Sequence, residues 1–352
     1  MLATDVARRA GMLIDARRDR LAREVVERHY ATDPQAWEKY GREGWRKSIE
    51  DAKFHFEYLA EALKLGEPRV FVNYAGWASA LFRHLRLPNN LMETTLDFML
   101  DALRGALDTE EFDEAADYIR QARNSSAPVS EEPFVNEADQ LGALAHRYLN
   151  LLIQGRRREA LESITDASED GASISEIYLE VLQPVLRETG RLWHRNELDI
   201  HQTNFISAST ELAMSLLYPL IFAGYKKNRH MLAACVQNEL HQIGLRMVSD
   251  LFELDGWYAY AIGANVPEES IVRAVVSQET DVLAVSITMT SHLTALERLV
   301  ERVKQTRSAG NVRIMVGGFP FLAFPDLWKR IGADGTAPDA TAAVKLANQW
   351  MA

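Results

Sequence analysis

The sequence predicts a multidomain α and α/β protein: a helical N-terminal domain, a four-helix bundle, and a doubly wound parallel-sheet domain closing the chain. Three observations carry this. Apolar residues recur at three- and four-residue spacing as far as about Arg123, and again from Asn136 to about Tyr225, the period of helices with one buried face. Between them NSSAPVSEEP (124–133) is polar and holds two prolines, so 124–135 reads as a linker. After Lys226-Lys227-Asn228, short apolar runs alternate with helix-length stretches, the signature of successive βαβ units.

In the first domain (1–123), Phe54, Tyr58, Leu59, Ala62 and Leu63 mark the apolar side of one long helix. Gly66 with Pro68 stops that helix, and Pro88-Asn89-Asn90 makes a second break. No strand-like alternation appears. The bundle (136–225) has room for about four helices. In the last domain (229–352) the runs MLAACV (231–236), YAYAIG (258–263), VLAVSI (282–287) and RIMVGG (313–318) have the composition of buried parallel strands. Ligands of such sheets sit beyond the carboxyl ends of the strands, at the point where the winding reverses. The loop QNELHQIG (237–244) lies at the end of the first strand and carries Glu239, His241 and Gly244. A glycine at the entry to the next helix lets a backbone or a flat ligand come close.

Composition narrows the function classes. The net charge of −11 disfavours non-specific nucleic-acid binding, which needs concentrated positive charge. The densest basic run, Arg156-Arg157-Arg158, reads as a solvated helix end. No apolar run reaches the roughly 18 residues of a membrane span, and the N-terminus mixes Arg and Asp where a secretory signal is apolar. A cytoplasmic protein with no membrane partner is expected. The single cysteine, Cys235, excludes an intrachain disulfide and a cysteine-cluster metal site. No G-x-G-x-x-G follows the first strand, so a dinucleotide site is not expected. No nucleophile–base set or phosphate loop is visible, and the chain is expected not to be an enzyme.

The run E-L-H-Q-I-G (239–244) resembles the signature of cobalamin-binding domains: an acid, a histidine two on, and a glycine three further. The resemblance implies that His241 coordinates cobalt in place of the cofactor's own benzimidazole. It also implies that Glu239, where the family usually has Asp, holds the imidazole's other nitrogen. Such a carboxylate fixes the tautomer and raises ligand basicity. Ser286 and Thr288 after the third strand, and Gly317-Gly318 after the fourth, match positions that line the channel of the displaced nucleotide tail. GADGTAPDA (332–340) resembles the family's closing strand and loop. The stretch 188–222 resembles the helical domain that covers the upper face of cobalamin in corrinoid proteins. Gly190 and Trp193 match it, and the resemblance implies that Trp193 packs on the upper axial group, with adenosylcobalamin as the implied form. Thr203 and Asn204 stand where the family has a Glu-His pair, a departure that leaves Asn204, with His201 and Gln202 nearby, for hydrogen bonding.

The run WRKSIEDAKFHFEYLAEAL (45–63) is similar to the bilin-binding helix of phycobiliproteins, a globin-like fold. Ser48 takes the place of the cysteine that attaches the chromophore, Asp51 that of the aspartate on the pyrrole nitrogens, and Tyr58 matches. The resemblance implies a biliverdin-type chromophore held without a covalent bond. His55 lies one turn after Asp51 on the same face, and Tyr74 and Trp77 offer stacking surface. A bilin-like domain joined to a cobalamin-binding domain resembles the photocobilins. That implies a light sensor in which cleavage of the Co–C bond changes quaternary structure, a homo-oligomer, and output through a partner in trans or a further C-terminal domain. The alternatives are a corrinoid carrier for methyl transfer, which needs no extra helical domain, and a cobalamin sensor without photochemistry.

Overall fold

A computed structural model describes residues 4–125, 132–223 and 226–352, with the side chains of 36, 222 and 223 left aside. The chain divides into two units, Met1–Ser130 and Glu131–Ala352. Residues 126–131 of the expected linker at 124–135, and the end of the bundle at 224–225, lie outside the described residues.

The described part of the first unit is helical: α1 (Asp5–Ala16), α2 (Arg18–Thr32), α3 (Pro34–Glu38), α4 (Gly41–Leu65), α5 (Pro68–His84), α6 (Leu91–Arg104) and α7 (Thr109–Asn124). Local chemistry sets the ends. The Thr4 side chain accepts from the Ala7 N–H to start α1, and Asp108 with Glu111 forms a capping box on α7. Gly66 ends α4 in the left-handed region at φ 63°, and Pro68 opens α5 where a missing N–H costs nothing. The buried face of α4 carries Ala52, Phe56, Leu59 and Leu63, whereas Phe54 is 46% exposed. Two helical steps are about 200°, so Phe54 and Phe56 cannot share a face.

His55 is buried, with its Nδ1 2.9 Å from the Tyr74 hydroxyl. Burial, and after it the neighbouring His29, pushes the His55 imidazole from 6.5 down to about 4. The unfolded chain therefore binds this proton below pH 6.5 while the folded chain resists it until about pH 4. The stability His55 contributes is present above pH 6.5 and lost as pH falls toward 4. The loss amounts to about 3 kcal/mol from this group. An NMR titration should find His55 neutral down to about pH 4, and a midpoint near 6.5 would refute the assignment.

In the second unit come α8 (Gln140–Ile153), α9 (Arg157–Glu169), a continuous rod of α10 (Ile174–Glu176), a π-helix (Ile177–Leu182) and α11 (Gln183–His194), and then α12 (Ile200–Leu217). These are the four rods of the predicted bundle. The π-turn has a local cause. Pro184 has no N–H to give and its ring would crowd the Glu180 carbonyl, so the preceding turn widens and the Gln183 N–H reaches the Tyr178 carbonyl. The basic triplet sits at the start of α9. Arg156 and Arg158 pair with Glu159 and Glu162 in solvent, as expected. Arg157 does not: it lies 4.4 Å over the Phe205 ring and donates to Ser209 at 2.9 Å, so it packs α9 on α12.

The sheet has strands β1 (His230–Val236), β2 (Tyr258–Val266), β3 (Val282–Ser286), β4 (Arg313–Gly317) and β5 (Gly335–Thr336), all parallel in the order β2-β1-β3-β4-β5. The connecting helices are α13 (Ile243–Leu254), α14 (Glu268–Ser277), α15 (Leu293–Gln305), the short α16 (Phe319–Ala323) and α17 (Leu327–Arg330), and α18 (Ala340–Trp350). α13 packs with α18 and α14 with α15, which puts one pair on each face, as right-handed crossovers require. The bundle and the sheet share one core, in which Tyr148, Tyr178 and Leu217 meet Met231, Phe252 and Trp257. No helix among the described residues is long and apolar enough to cross a membrane.

Candidate functional site

β1 has β2 on one side and β3 on the other, so the winding reverses between β1 and β3. Register aligns Cys235 with Ser286 and Ser286 with Gly317, bringing three strand ends into one row. The β1–α13 loop and the loop after β3 meet at this point. Glu239, fully buried, joins them. Its Oε1 accepts from the His241 N–H at 3.0 Å and lies 2.5 Å from His241 Nδ1. Its Oε2 accepts from the N–H groups of Thr288 (2.7 Å) and Met289 (3.1 Å) and lies 3.1 Å from His292 Nδ1. Burial alone would raise this carboxyl. The hydrogen bonds from His241, from His292 and from the backbone outweigh it and hold Glu239 well below the usual carboxylate range.

An ionised carboxylate is acceptor-only, so the network assigns the His241 Nδ1 proton to the shared bond. In the neutral imidazole Nε2 then keeps its lone pair, on a side chain 58% exposed. The loop is braced from two directions. Asn265, at the end of β2, donates its N–H to the Glu239 carbonyl (2.9 Å) and accepts from the Asn238 N–H (2.8 Å). Gln242 accepts from the Ala264 N–H and donates to Glu211 on α12, both at 3.1 Å. Arg246 reaches the Glu211 carbonyl and the Ser215 hydroxyl. The bundle thus grips the start of α13 through the C-terminal half of α12.

Two glycines at the site differ. No atom lies within 4 Å of where a Cβ would stand at Gly244 or Gly317. At Gly318 (φ 102°) a Cβ would stand 1.9 Å from the Ile287 carbonyl oxygen. Gly318 is therefore glycine for the close approach of two backbones, a reason separate from the channel-lining role expected for the pair. Gly318→Ala should cost about 3 kcal/mol or more, from left-handed strain plus the clash. Gly317→Ala should change stability by less than about 1 kcal/mol. Urea unfolding of both variants checks the contrast, and equal losses would refute it.

Ser286 ends β3, and Thr288 serves Glu239 through its backbone N–H. Cys235 lies on β1, where burial pushes its thiol up to about 12. Trp193 is half-buried near the end of α11, and Asn204 is exposed on α12. Gln202 is occupied as the return half of the α12 capping box, accepting from the Asp199 N–H, so it is no substitute for the missing Glu-His pair. In the first unit His55, Tyr58, Tyr74 and Trp77 do come together. Tyr58 and Tyr74 stack at 3.9 Å and 12°, and Trp77 lies 6.2 Å from Tyr74. The Tyr74 face turned to Tyr58 is therefore taken, and its hydroxyl is bound to His55, which corrects its expected role as an open stacking platform. Asp51 is exposed, where partial loss of hydration, then the Glu50 charge, moves its carboxyl upward. Sequence reasoning missed His292, Met289, Gln242 and Asn265. The one available signal was a second histidine in the loop after the third strand.

Residues 229–345 match the model of a B12 binding domain, and residues 144–218 match a second model of that description. The chain carries a two-part B12-binding module. The module spans both the bundle that grips α13 and the sheet whose edge holds Glu239. Its relatives include dimethylamine corrinoid protein 3 of Methanosarcina acetivorans, 26% identical over 59% of this chain and 97% of the relative. A corrinoid protein of Desulfitobacterium hafniense is 25% identical over 46% of this chain and 75% of its own length. The structure of the monomethylamine corrinoid protein of Methanosarcina barkeri shares the fold, with a TM-score of 0.54 and 22% identity over 60% of this chain and all of that one. The residues at the switch point fit the group this module takes. The His241 imidazole stands exposed, Leu240 beside it is 69% exposed, and Gly244 and Gly317 leave open space for a flat ring and its tail.

Proposed function

We propose that the chain holds cobalamin with His241 as the lower cobalt ligand, and that it carries the cofactor without itself being an enzyme. The observation that supports this most is the buried Glu239, bonded to His241 Nδ1 so that Nε2 is the free donor. When bound, the cofactor would supply a cobalt centre able to make and break a bond to carbon. The chain's own residues set the stage. Glu239 fixes the tautomer, His292 and two backbone N–H groups fix Glu239, and Gln242 and Arg246 tie the loop to the bundle. Gly244, Gly317 and Ser286 would flank the ligand, and Trp193 and Asn204 of the bundle would cover it.

The relatives named as methylamine corrinoid proteins support a methyl-carrying role, in which the held group passes between partner enzymes. A second reading, a cytoplasmic light sensor, is favoured by one observation. The B12 models cover 144–218 and 229–345, whereas the chain adds a helical unit with an aromatic cluster of His55, Tyr58, Tyr74 and Trp77, and Asp51 at the surface one turn before His55. In that reading the first unit is globin-like and holds biliverdin non-covalently, the cofactor is adenosylcobalamin, and light alters a homo-oligomer that signals to a partner in trans. Absorption spectra of the full chain with adenosylcobalamin and biliverdin, dark and illuminated, separate the readings. A corrinoid spectrum with no biliverdin band and no light-induced change in oligomer size leaves the carrier. A long-wavelength bilin band lost on acid denaturation, with a light-dependent change in size, selects the sensor. No corrinoid spectrum at all would overturn both.

A further inference from the structure

A half-open cavity in the first unit is built from two segments that neither the cobalamin reading nor the Asp51–Trp77 cluster uses. It has a volume of about 310 Å³ and is lined by Trp37 of α3, by Lys39 and Tyr40 in the turn after it, and by Arg86, Leu87, Pro88 and Asn89 from the α5–α6 connection. That size is at the lower end for small-molecule sites, which points to a ligand of modest size.

The lining has two chemical features. The first is a braced aromatic wall. Tyr30 stacks on Trp37 at 5.3 Å and 24°, His29 meets the indole edge-on at 5.8 Å, and Tyr40 sits at 5.9 Å. An indole held this way has little freedom left to lose on binding, and with Tyr30 on one face it can offer a ligand only the other. The second is uncompensated positive charge. The Lys39 ammonium lies 4.8 Å over the Tyr40 ring, and among the described residues neither Lys39 nor Arg86 has a carboxylate partner. The two cations face one cavity, so an anion seated there would meet both.

Arg86 also occupies a position that chain geometry does not favour. The Leu87 N–H bonds the Phe82 carbonyl and the Arg86 N–H bonds the Arg83 carbonyl, which closes α5 with a Schellman motif. Its left-handed residue is Arg86, at φ 57°. Glycine takes that position without strain, as Gly66 does at the end of α4. Strain kept at a cavity lining, on a residue whose guanidinium has no internal partner, is the arrangement found where the side chain is needed for a ligand.

We propose that this cavity binds a small planar carboxylate, its ring against Trp37 and its carboxylate taken by Arg86 and Lys39. The guanidinium fork matches the two oxygens of a carboxylate, and the ammonium adds a point charge. Leu87 and Pro88 supply the apolar walls.

The test is calorimetric titration of the full chain with 2-naphthoate, alongside 2-naphthamide (the same ring without charge) and cyclohexanecarboxylate (the charge without the plane). The expected result is saturable binding of one naphthoate, about tenfold or more tighter than either comparator. Arg86→Gly and Lys39→Gln should each weaken it about fivefold or more. Arg86→Gly should do so while the melting temperature stays the same or rises, because glycine relieves the left-handed strain; misfolding would lower it. Absence of saturable binding, equal affinity for the amide, or unchanged affinity in both variants would overturn the proposal.

Discussion

Glu239→Ala should destabilise the α/β part of the chain by about 3–5 kcal/mol, the cost of deleting one partner from a buried charged network. The side chain is fully buried, and its two oxygens take every hydrogen bond that ties the β1–α13 loop to the loop after β3 at this carboxylate. Removing it strands the Thr288 and Met289 N–H groups and frees both imidazoles. Urea unfolding of the full chain gives the size of the loss. Hydrogen exchange at the Thr288 and Met289 amides should accelerate with it. Glu239→Gln should lie in between, since an amide can accept through its oxygen only and must turn its NH2 toward donors on the other side. A loss under about 1 kcal/mol in the alanine variant would show that the two loops are held by something else.

His241→Ala, two residues away, is expected to show the opposite profile. The imidazole is 58% exposed and anchors no core, so stability should move by less than about 1 kcal/mol. Cobalamin affinity should fall about 100-fold or more, because even a disturbed partner of a ligating histidine costs 10–100-fold. The absorption features of histidine ligation should vanish as well. Unchanged affinity and an unchanged spectrum would remove His241 from the site. The pair of variants therefore separates scaffold from ligand: one buried acid that holds the loops, and one exposed base that they present.

Much of this was legible in the chain. The strands near 231, 258, 282 and 313 were readable because buried parallel strands are continuous apolar runs, and β2 runs only three residues past its expected end. The Gly66 and Pro68 break was readable because those residues act through their own backbone. Phe54 was misplaced because helical spacing narrows the choice of face without settling it; packing against α1 and α2 selected Ala52, Phe56 and Leu59. Arg157 looked solvated because a charge run says nothing of a guanidinium that finds an aromatic ring on another helix.

By itself the sequence determined the order of helices and strands, the position of an acid and a histidine at the end of β1, and their spacing, since each depends on neighbours close in the chain. Only the tertiary structure decided that Glu239 also serves Thr288, Met289 and His292, about fifty residues on. It decided too that Gly318 is held by the Ile287 backbone, and that Tyr74 turns its ring to Tyr58 and its hydroxyl to His55. These are contacts between segments distant in sequence. They arise when strand register aligns Cys235, Ser286 and Gly317 and when helices close on one another, and a linear pattern of residue types does not encode which buried polar group will meet which.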